Sequence, residues 1–290
     1  QAFMDRYGDQ SMLVHLAGAR GFHDNIEWRL PIASHADFAE MAINTVKAPT
    51  KNRHFIADAS SIKPFTVISS EVDLATTDLL DMDVVDSVRT MIESIQLPPP
   101  AIKIPGDVVA EDSPLRCMLV SPAQYHAFSQ DANFRQFQAS ALARASKAGN
   151  HPLFLGEVGL WNGVLIMKMP KPIRFYSGDT IMYCAANDTE TETACTVPAA
   201  FGTTHAVDRA LLLGGQALAQ AFASSKHGGM PFFWKEKGWD HDDKMELLIG
   251  AIQGLAKVRW LVNQGNGDKH YTDHGVIAID TAVPIIGARN

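Results

Sequence analysis

LFLGEVGLWNGVLIMKMP, residues 153–170, sets three glycines, Gly156, Gly159 and Gly163, among large apolar side chains. Glycines beside β-prone residues are also how phosphate-binding loops look, so the spacing decides. A dinucleotide loop needs G-x-G-x-x-G between a strand and a helix, and a P-loop ends in G-K-[ST]. The spacing here is G-x-x-G-x-x-x-G, and Gly163 is followed by VLIMKM. Asn162-Gly163 is instead a pair that tolerates positive φ at both central positions of a type I′ turn, whose twist suits two antiparallel strands. The stretch therefore reads as a β-hairpin, and its purpose must come from the rest of the chain.

The chain has 290 residues, enough for about two domain-sized units; 46% are hydrophobic and 20% charged, an ordinary globular balance. A formal charge of −7 argues against a general nucleic-acid binder, which carries a basic excess. Cys117, Cys184 and Cys195 are odd in number and lack C-x-x-C spacing, which fits a reducing compartment without a disulfide framework. No apolar run approaches the ~20 residues of a membrane-spanning helix, and no signal-peptide pattern opens the chain. It begins without an initiator Met, abruptly inside a helical pattern. In QAFMDRYGDQSMLVHLAG, Phe3, Tyr7 and Val14, with Met4 and Leu13, line one side of a helix that ends at Gly18.

Residues 19–65 show scattered turn residues and no sustained period, the pattern of an irregular interaction segment. TTDLLDMDVVDSVRTMIESIQ, residues 76–96, is a helix with Leu80, Val84, Val88, Met91, Ile92 and Ile95 on one face, stopped by LPPP. LRCMLVSP is a short buried strand. AQYHAFSQDANFRQFQASALARASKAG makes one or two helices with Gly149 as the stop. NDTETETACTVPAAFGTTHA, residues 187–206, reads as an exposed mobile loop. DRALLLGGQALAQAFASS, from Asp208, starts like a strand and ends like an alanine-rich helix, with Gly214-Gly215 between. DKMELLIGAIQGLAKVRWLV has helical spacing through Met245, Leu248, Ile249, Ile252 and Leu255. Yet Gly250 and Gly254 would each cost ~1 kcal/mol in a helix, and KVRWLV alternates as a strand does. Strand is preferred here. DHGVIAIDTAV is a strand. With no βαβ rhythm and no repeat, the class is α+β.

Four polar clusters could carry chemistry. GDKHYTDHG brings together Asp268, His270, Asp273 and His274, which could hold a divalent metal or supply a general base, with Asp240 or His241 as a further partner. This is the alternative reading, a metal-dependent hydrolase. Against it, no H-E-x-x-H appears, and a hydrated turn before the last strand explains the same residues. WDHDDK lacks the order of a calcium loop and reads as a solvated connection. Ser60 and Lys63 match S-x-x-K, but the companion motifs S-D-N and K-T-G are missing. FFWKEKGW, residues 232–239, mixes aromatics with lysines; in an acidic chain it reads as a packing corner or subunit contact rather than a base-stacking platform. Cys117 sits among apolar neighbours and reads as core. No catalytic constellation emerges, and no catalytic, cofactor-binding or metal-binding residue is assigned.

The order of motifs carries more than any one of them. MLVHLAGARG, APTKNRH, MLVSPAQYHAFSQDANFRQFQ, HPLFLGEVGLWNGVLIMKMP, RALLLGGQALAQAF and DHGVIAIDT, taken in sequence over nearly the whole chain, resemble the major capsid proteins of tailed bacteriophages, most closely the group typified by the coliphage N-four capsid protein. The resemblance implies a Hong-Kong-97-type fold, with a peripheral domain holding a long spine helix and a β-sheet, an axial domain, an N-terminal arm and an E-loop. It implies a division into 1–114 (peripheral, with the end of the spine helix), 115–205 (largely axial) and 206–290 (return to the peripheral sheet). Members carry roughly a further third of chain before the HLAG motif, holding the arm, the E-loop and the start of the spine helix; none of it precedes Gln1, so the expectation is either that this sequence covers part of the subunit or that it is a truncated relative. The implied function is a non-enzymatic, cofactor-free shell subunit forming hexamers and pentamers of an icosahedral virion around double-stranded DNA. Portal, scaffolding and decoration proteins are implied as further partners, no membrane is, and assembly is expected in the bacterial host cytoplasm. A shell protein repeats a self-complementary surface around closed symmetry axes, so broad surfaces matter more than a pocket.

Overall fold

A computed structural model describes residues 2–23, 26–28, 36–37, 45–102, 115–131, 134–135, 159–169, 171–224, 232–239, 241, 243–263, 265 and 267–286; the side chains of 2–7, 159–160 and 251 lie outside the description. The chain opens with helix α1 (Ala2–Ala17), then strands β1 (Phe22–His23) and β2 (Ile26–Glu27). β3 (His54–Asp58), β4 (Ser61–Pro64), β5 (Val67–Ile68) and β6 (Glu71–Val72) precede helix α2 (Met82–Ser94). β7 (Arg116–Val120), helix α3 (Pro122–Gln130), β8 (Gly159–Trp161), β9 (Val164–Lys168) and β10 (Arg174–Tyr176) follow. Then come β11 (Thr180–Cys184), β12 (Glu192–Thr196), β13 (His205–Leu213), β14 (Leu218–Ala223), β15 (Phe232–Trp239), β16 (Lys244–Lys257), β17 (Arg259–Asn263), β18 (Lys269–Asp273) and β19 (Val276–Pro284).

An eight-stranded mixed sheet, in order β4-β3-β19-β13-β7-β9-β8 with β10 also on β13, organises the molecule. β13 and β19 are antiparallel over their full lengths, from His205 opposite Pro284 to Leu213 opposite Val276. Both are buried along nearly every residue. That explains their near-continuous apolar sequences, since a strand covered on both faces has no reason to alternate. One face carries Phe55, Ala57, Ala210, Leu212, Ile277 and Ile279, packed with Val84, Val88 and Ile92 of α2 and Phe128 of α3. The other carries Ile56, Val207, Leu211, Ala278 and Ala282, packed with Leu13 and Val14 of α1 and with Ile181, Cys195 and Val197 around a smaller sheet. The smaller sheet has the order β11-β12-β6-β5.

The hairpin of the opening stretch forms the β8 edge of the large sheet, with Trp161 opposite Val164. Asn162 and Gly163 sit at φ 45° and 76°, as a type I′ turn requires. Its purpose is now visible: Trp161 Nε1 and Asn162 Nδ2 donate to Asp86 Oδ1 of α2 at 2.7 and 3.1 Å, fastening the sheet edge to the helix beneath. Gly163→Val should destabilise the protein by about 1–2 kcal/mol, the cost of holding a branched L-residue in the left-handed region. Urea unfolding checks this, and a loss below half a kcal/mol would show that the turn adapts.

Other expectations meet different outcomes. The helix ending at Gly18 is present, with Leu13 and Val14 buried; the side chains of Phe3, Met4 and Tyr7 fall outside the described residues. α2 matches its sequence pattern, with Asp81 capping its N-terminus through Val84 N at 2.8 Å. The strand 116–120 and the helix after it are also present, and Gly149 lies outside the described residues. The strand preference for 244–262 holds, as β16 and β17. Two readings are overturned, and one that the sequence left open is resolved. The alanine-rich stretch after Gly215, which resists assignment from sequence, is strand β14, because pairing with β16 overrides a modest helix propensity. The 187–206 stretch contains β12, whose Cys195 is buried against the core, so it is not simply an exposed loop. The irregular segment ends in an ordered β3–β4 hairpin. β7 and β9 are parallel neighbours with α3 between them in sequence, a crossover connection that the pattern did not announce.

Candidate functional site: an apolar β-arm fastened by buried ion pairs

β14, β15 and β16 form a sheet of their own. Residues 244–251 of β16 pair with β15 and residues 252–257 pair with β14, so among the described residues each position along β16 has a partner on one strand. At ~3.3 Å per residue the 14 residues of β16 reach roughly 46 Å. The two faces of this ribbon differ. One pairs Trp234 with Ile249, Glu236 with Leu247 and Gly238 with Met245. The other pairs Lys235 with Leu248, Lys237 with Glu246 and Trp239 with Lys244. The second face satisfies its own polar groups: Lys237 Nζ lies 3.4 Å from the Trp239 ring centroid, and Trp239 Nε1 donates to Glu246 Oε2 at 2.8 Å. On that face the Phe233 ring covers Gly250 so closely that a Cβ there would come within 2.5 Å of it. The FFWKEKGW stretch is therefore half of an exposed arm.

At the root of the arm, Asp273 gathers cations. Its carboxylate accepts from Arg259 Nε at 2.7 Å, Lys257 Nζ at 3.0 Å and the Thr50 amide at 3.2 Å. Burial would push this carboxyl up, and the charges of Lys257 and Arg259 override that and hold it below its ordinary value. Arg259 continues to Glu190 Oε1 at 2.8 Å and to the Ala48 carbonyl at 2.7 Å. Arg53 Nε donates to the Asp273 carbonyl at 3.0 Å, and Asn52 Nδ2 to Thr272 Oγ1 at 2.7 Å. The APTKNRH motif is thus the strap that ties the segment after α1 to the arm root, with its residues Thr50, Asn52, Arg53 and His54 each in a defined polar contact.

His54 belongs to a second group. Arg209 and Asp280, opposite each other on β13 and β19, form a bidentate pair at 2.7 and 2.8 Å, both side chains fully buried. His54 Nε2 lies 2.9 Å from Asp280 Oδ2 and from an Arg209 terminal nitrogen. The remaining Arg209 nitrogen donates to the Ala17 carbonyl at 2.9 Å, satisfying the C-terminus of α1 where Gly18 turns away at φ 64°. Burial would raise the Asp280 carboxyl, and the Arg209 guanidinium beside it holds it instead well below the carboxylate range. Burial pushes the His54 imidazole down to about 4, with the Arg209 charge adding to the effect. On the opposite face of β13, Asp208 takes a bidentate pair from Arg174 at 2.7 and 2.8 Å and a short hydrogen bond from Ser121. Ser121 and Gln124 form the capping box of α3, and Gln124 also reaches Thr281 Oγ1 at 2.9 Å.

The His54 environment gives a pH dependence with a definite sign. The unfolded imidazole titrates near 6.5 and the folded one near 4, so on acidification the unfolded chain takes up the proton first. Stability from this group is complete above pH 6.5 and falls towards pH 4, by about 3 kcal/mol in all. Asp280, whose folded value is depressed, adds its own loss only below the ordinary carboxylate range. Unfolding midpoints between pH 7 and pH 4 should show this slope, and His54→Gln should flatten it.

The sequence-nominated chemistry does not assemble. Asp268 is exposed, and His270 lies on β18 opposite Val262, three residues from Asp273 and hence on the other face of the strand. Asp273 is engaged by cations, and the His274 ring packs edge-on against Trp260 with centroids 6.0 Å apart. The cluster is a strand and its end, not a hydrated turn. His241 sits in the β15–β16 turn at φ 56°, and Asp240 lies outside the described residues. Among the described residues no group of three or more His, Cys, Asp or Glu could hold a metal ion. Lys63 is held by Asp73 at 2.8 Å and Asp58 at 3.4 Å, partners that keep it an ammonium rather than a base for Ser60. Burial pushes the Cys117 thiol up to about 11, consistent with an unreactive core position. No described helix is long and apolar enough to cross a membrane. Sequence reasoning missed the two ion-pair groups inside the large sheet, Arg209–Asp280–His54 and Asp208–Arg174, and gave Asp273 a different role. Their one signal was a charge inside each of two otherwise apolar strands, Arg209 beside Asp208 in DRALLL and Asp280 in VIAIDTAV.

Comparison with known proteins places this architecture. The capsid protein of Ralstonia phage GP4 superposes with a TM-score of 0.63 at 20% sequence identity, over 99% of this chain and 66% of that one. The cyanophage Pam1 capsid superposes with a TM-score of 0.55 at 13% identity, over 97% of this chain and 66% of that one. This chain thus spans just under two thirds of either capsid chain. No curated protein matches it significantly in sequence. The α+β fold is that of the Hong-Kong-97-type phage capsid subunits. A family model described as phage capsid protein matches residues 1–285, and with the fold in agreement, this chain belongs to the phage capsid protein family.

Proposed function

We propose that the chain is the major capsid subunit of a tailed phage, assembling with copies of itself into hexamers and pentamers of an icosahedral shell that encloses double-stranded DNA. The observation that carries this reading is the family match over residues 1–285. The arm adds physical support, because a long ribbon whose apolar face is uncovered among the described residues suits a protein whose neighbours are its own copies. The motif series supports placing it in the coliphage N-four group. Its work is structural, without a catalytic step or cofactor, in the virion, after assembly in the bacterial cytoplasm. The division into 1–114, 115–205 and 206–290 as peripheral, largely axial and peripheral parts belongs to this reading; the large sheet draws strands from all three. A net charge of −7 suits a wall that encloses DNA without adhering to it. Portal, scaffolding and decoration proteins complete the set of partners. Protein composition of purified virions tests the reading: this chain should be the most abundant polypeptide, and its absence from the particle would end the proposal.

A further inference from the structure

The apolar face of the arm has one covered end and one bare end. Near the root, Leu255 is buried and Leu218 packs against the core beside α1, which lies along β14 and β16. Farther out the same face continues through Phe222, Ile249, Trp234, Leu247 and Met245, and among the described residues nothing lies over it. Met245 is 77% exposed, Trp234 65% and Leu247 56%. At those exposures the five residues, backbone included, present on the order of 600 Å² of surface, comparable to the ~300–600 Å² of the largest patch on an ordinary monomer. It is also close to the ~800 Å² that each partner gives to a stable interface. The opposite face also exposes Leu248, Ile252 and Trp239, but it sets Lys235, Lys237, Lys244 and Glu246 among them, with lysine–tryptophan and tryptophan–glutamate contacts, whereas Glu236 is the one charge on the docking stretch of β15. A two-stranded ribbon is marginal on its own, so the bare end requires cover.

We infer that the Trp234–Leu247–Ile249 face of the arm docks on a second copy of this chain, and that this contact is one of those that join subunits. The inference rests on the shell reading above, which makes another copy the neighbour present at highest concentration. The ion-pair group at Asp273 fixes the arm root, so the face is presented in one direction. The ordering cost of docking is thereby reduced. Lys235, Lys237 and Lys244 stay on the outer face and take no part.

Leu247 and Leu248 provide the test, because they are adjacent, similarly exposed at 56% and 51%, and point to opposite faces. The full-length protein and its Leu247→Lys and Leu248→Lys variants are expressed, and assembled shells are counted by sedimentation and negative-stain microscopy. Leu247→Lys should lower the shell yield by about tenfold or more, and Leu248→Lys should stay within about twofold of the unmodified protein. Circular dichroism and unfolding midpoints should match in all three. Trp234→Ser, on the docking face, should repeat the loss and guards against a misfolding peculiar to position 247. Normal shells from Leu247→Lys and Trp234→Ser, as expected if a different protein or only solvent meets this face, overturn the inference and leave the shell reading intact. Equal failure of Leu248→Lys overturns it too. An unmodified protein that forms no shells overturns both.

Discussion

Asp280→Ala is expected to destabilise the protein by about 3–5 kcal/mol, a large part of the ~5–15 kcal/mol that holds a domain together. The reason is not the lost attraction alone. The substitution leaves the Arg209 guanidinium fully buried, 2.9 Å from the Ala17 carbonyl but without a counter-charge. It also removes the oxygen that His54 Nε2 faces at 2.9 Å. A charge stranded in the interior costs more than a pair removed whole. The double variant Arg209→Met with Asp280→Leu should therefore recover at least half of the loss. Denaturant unfolding decides: a single variant within 1 kcal/mol of the parent, or a double variant worse than the single, would show that this pair does not carry the weight assigned to it.

Asp273→Ala should cost about the same, about 3–5 kcal/mol, but in a different place. Lys257, with only 4% of its side chain exposed, and Arg259 lose their shared carboxylate, and the Thr50 amide loses its acceptor. These groups join the 47–53 strap to the arm root rather than the two faces of the main sheet. Local opening is the expected consequence. Hydrogen exchange should quicken at residues 48–53 and 255–259 more than in β13 and β19. Uniform protection across both regions would mean that the strap is held by its remaining bonds, from Arg53 to the Asp273 carbonyl and from Asn52 to Thr272.

How much of this was legible in the sequence depends on what each feature rests on. α2, β7, the Asn162-Gly163 hairpin and β19 were legible because their signals are local: a 3.6-residue period with a proline stop, a short apolar run, a turn pair and a β-branched stretch. β14 was not, because QALAQAF has helical propensity and becomes a strand only through β16, some thirty residues downstream. The strand nature of β16 itself could be weighed, since Gly250 and Gly254 are poor in a helix; in the structure Gly250 gives the Phe233 ring its seat. β12 was concealed by its threonines and glutamates, whose alternation around buried Cys195 is too short to stand out. The buried group at the centre of the large sheet joins residues more than 70 positions apart, Arg209 with Asp280 and His54 with both. No spacing rule reaches that far. The polar cluster that looked most like chemistry, Asp268 to His274, divides its residues between two faces of a strand, which a period of two would have indicated had β18 been recognised.

The resemblance to the phage family, in turn, rested on the order of motifs, most of which now have a physical task. HLAG ends α1 under Arg209, APTKNRH straps the arm root, WNG closes the sheet edge on α2, and the apolar strands around Arg209 and Asp280 form the centre of the large sheet. The arm is the part whose distal face has no partner among the described residues.

The most direct measurement is an electron cryo-microscopy reconstruction of the intact particle. The account predicts a shell in which every capsomer position is filled by this chain, with the eight-stranded sheet repeated in each copy. A shell built from another polypeptide, with this protein found outside it as a free monomer, would contradict it.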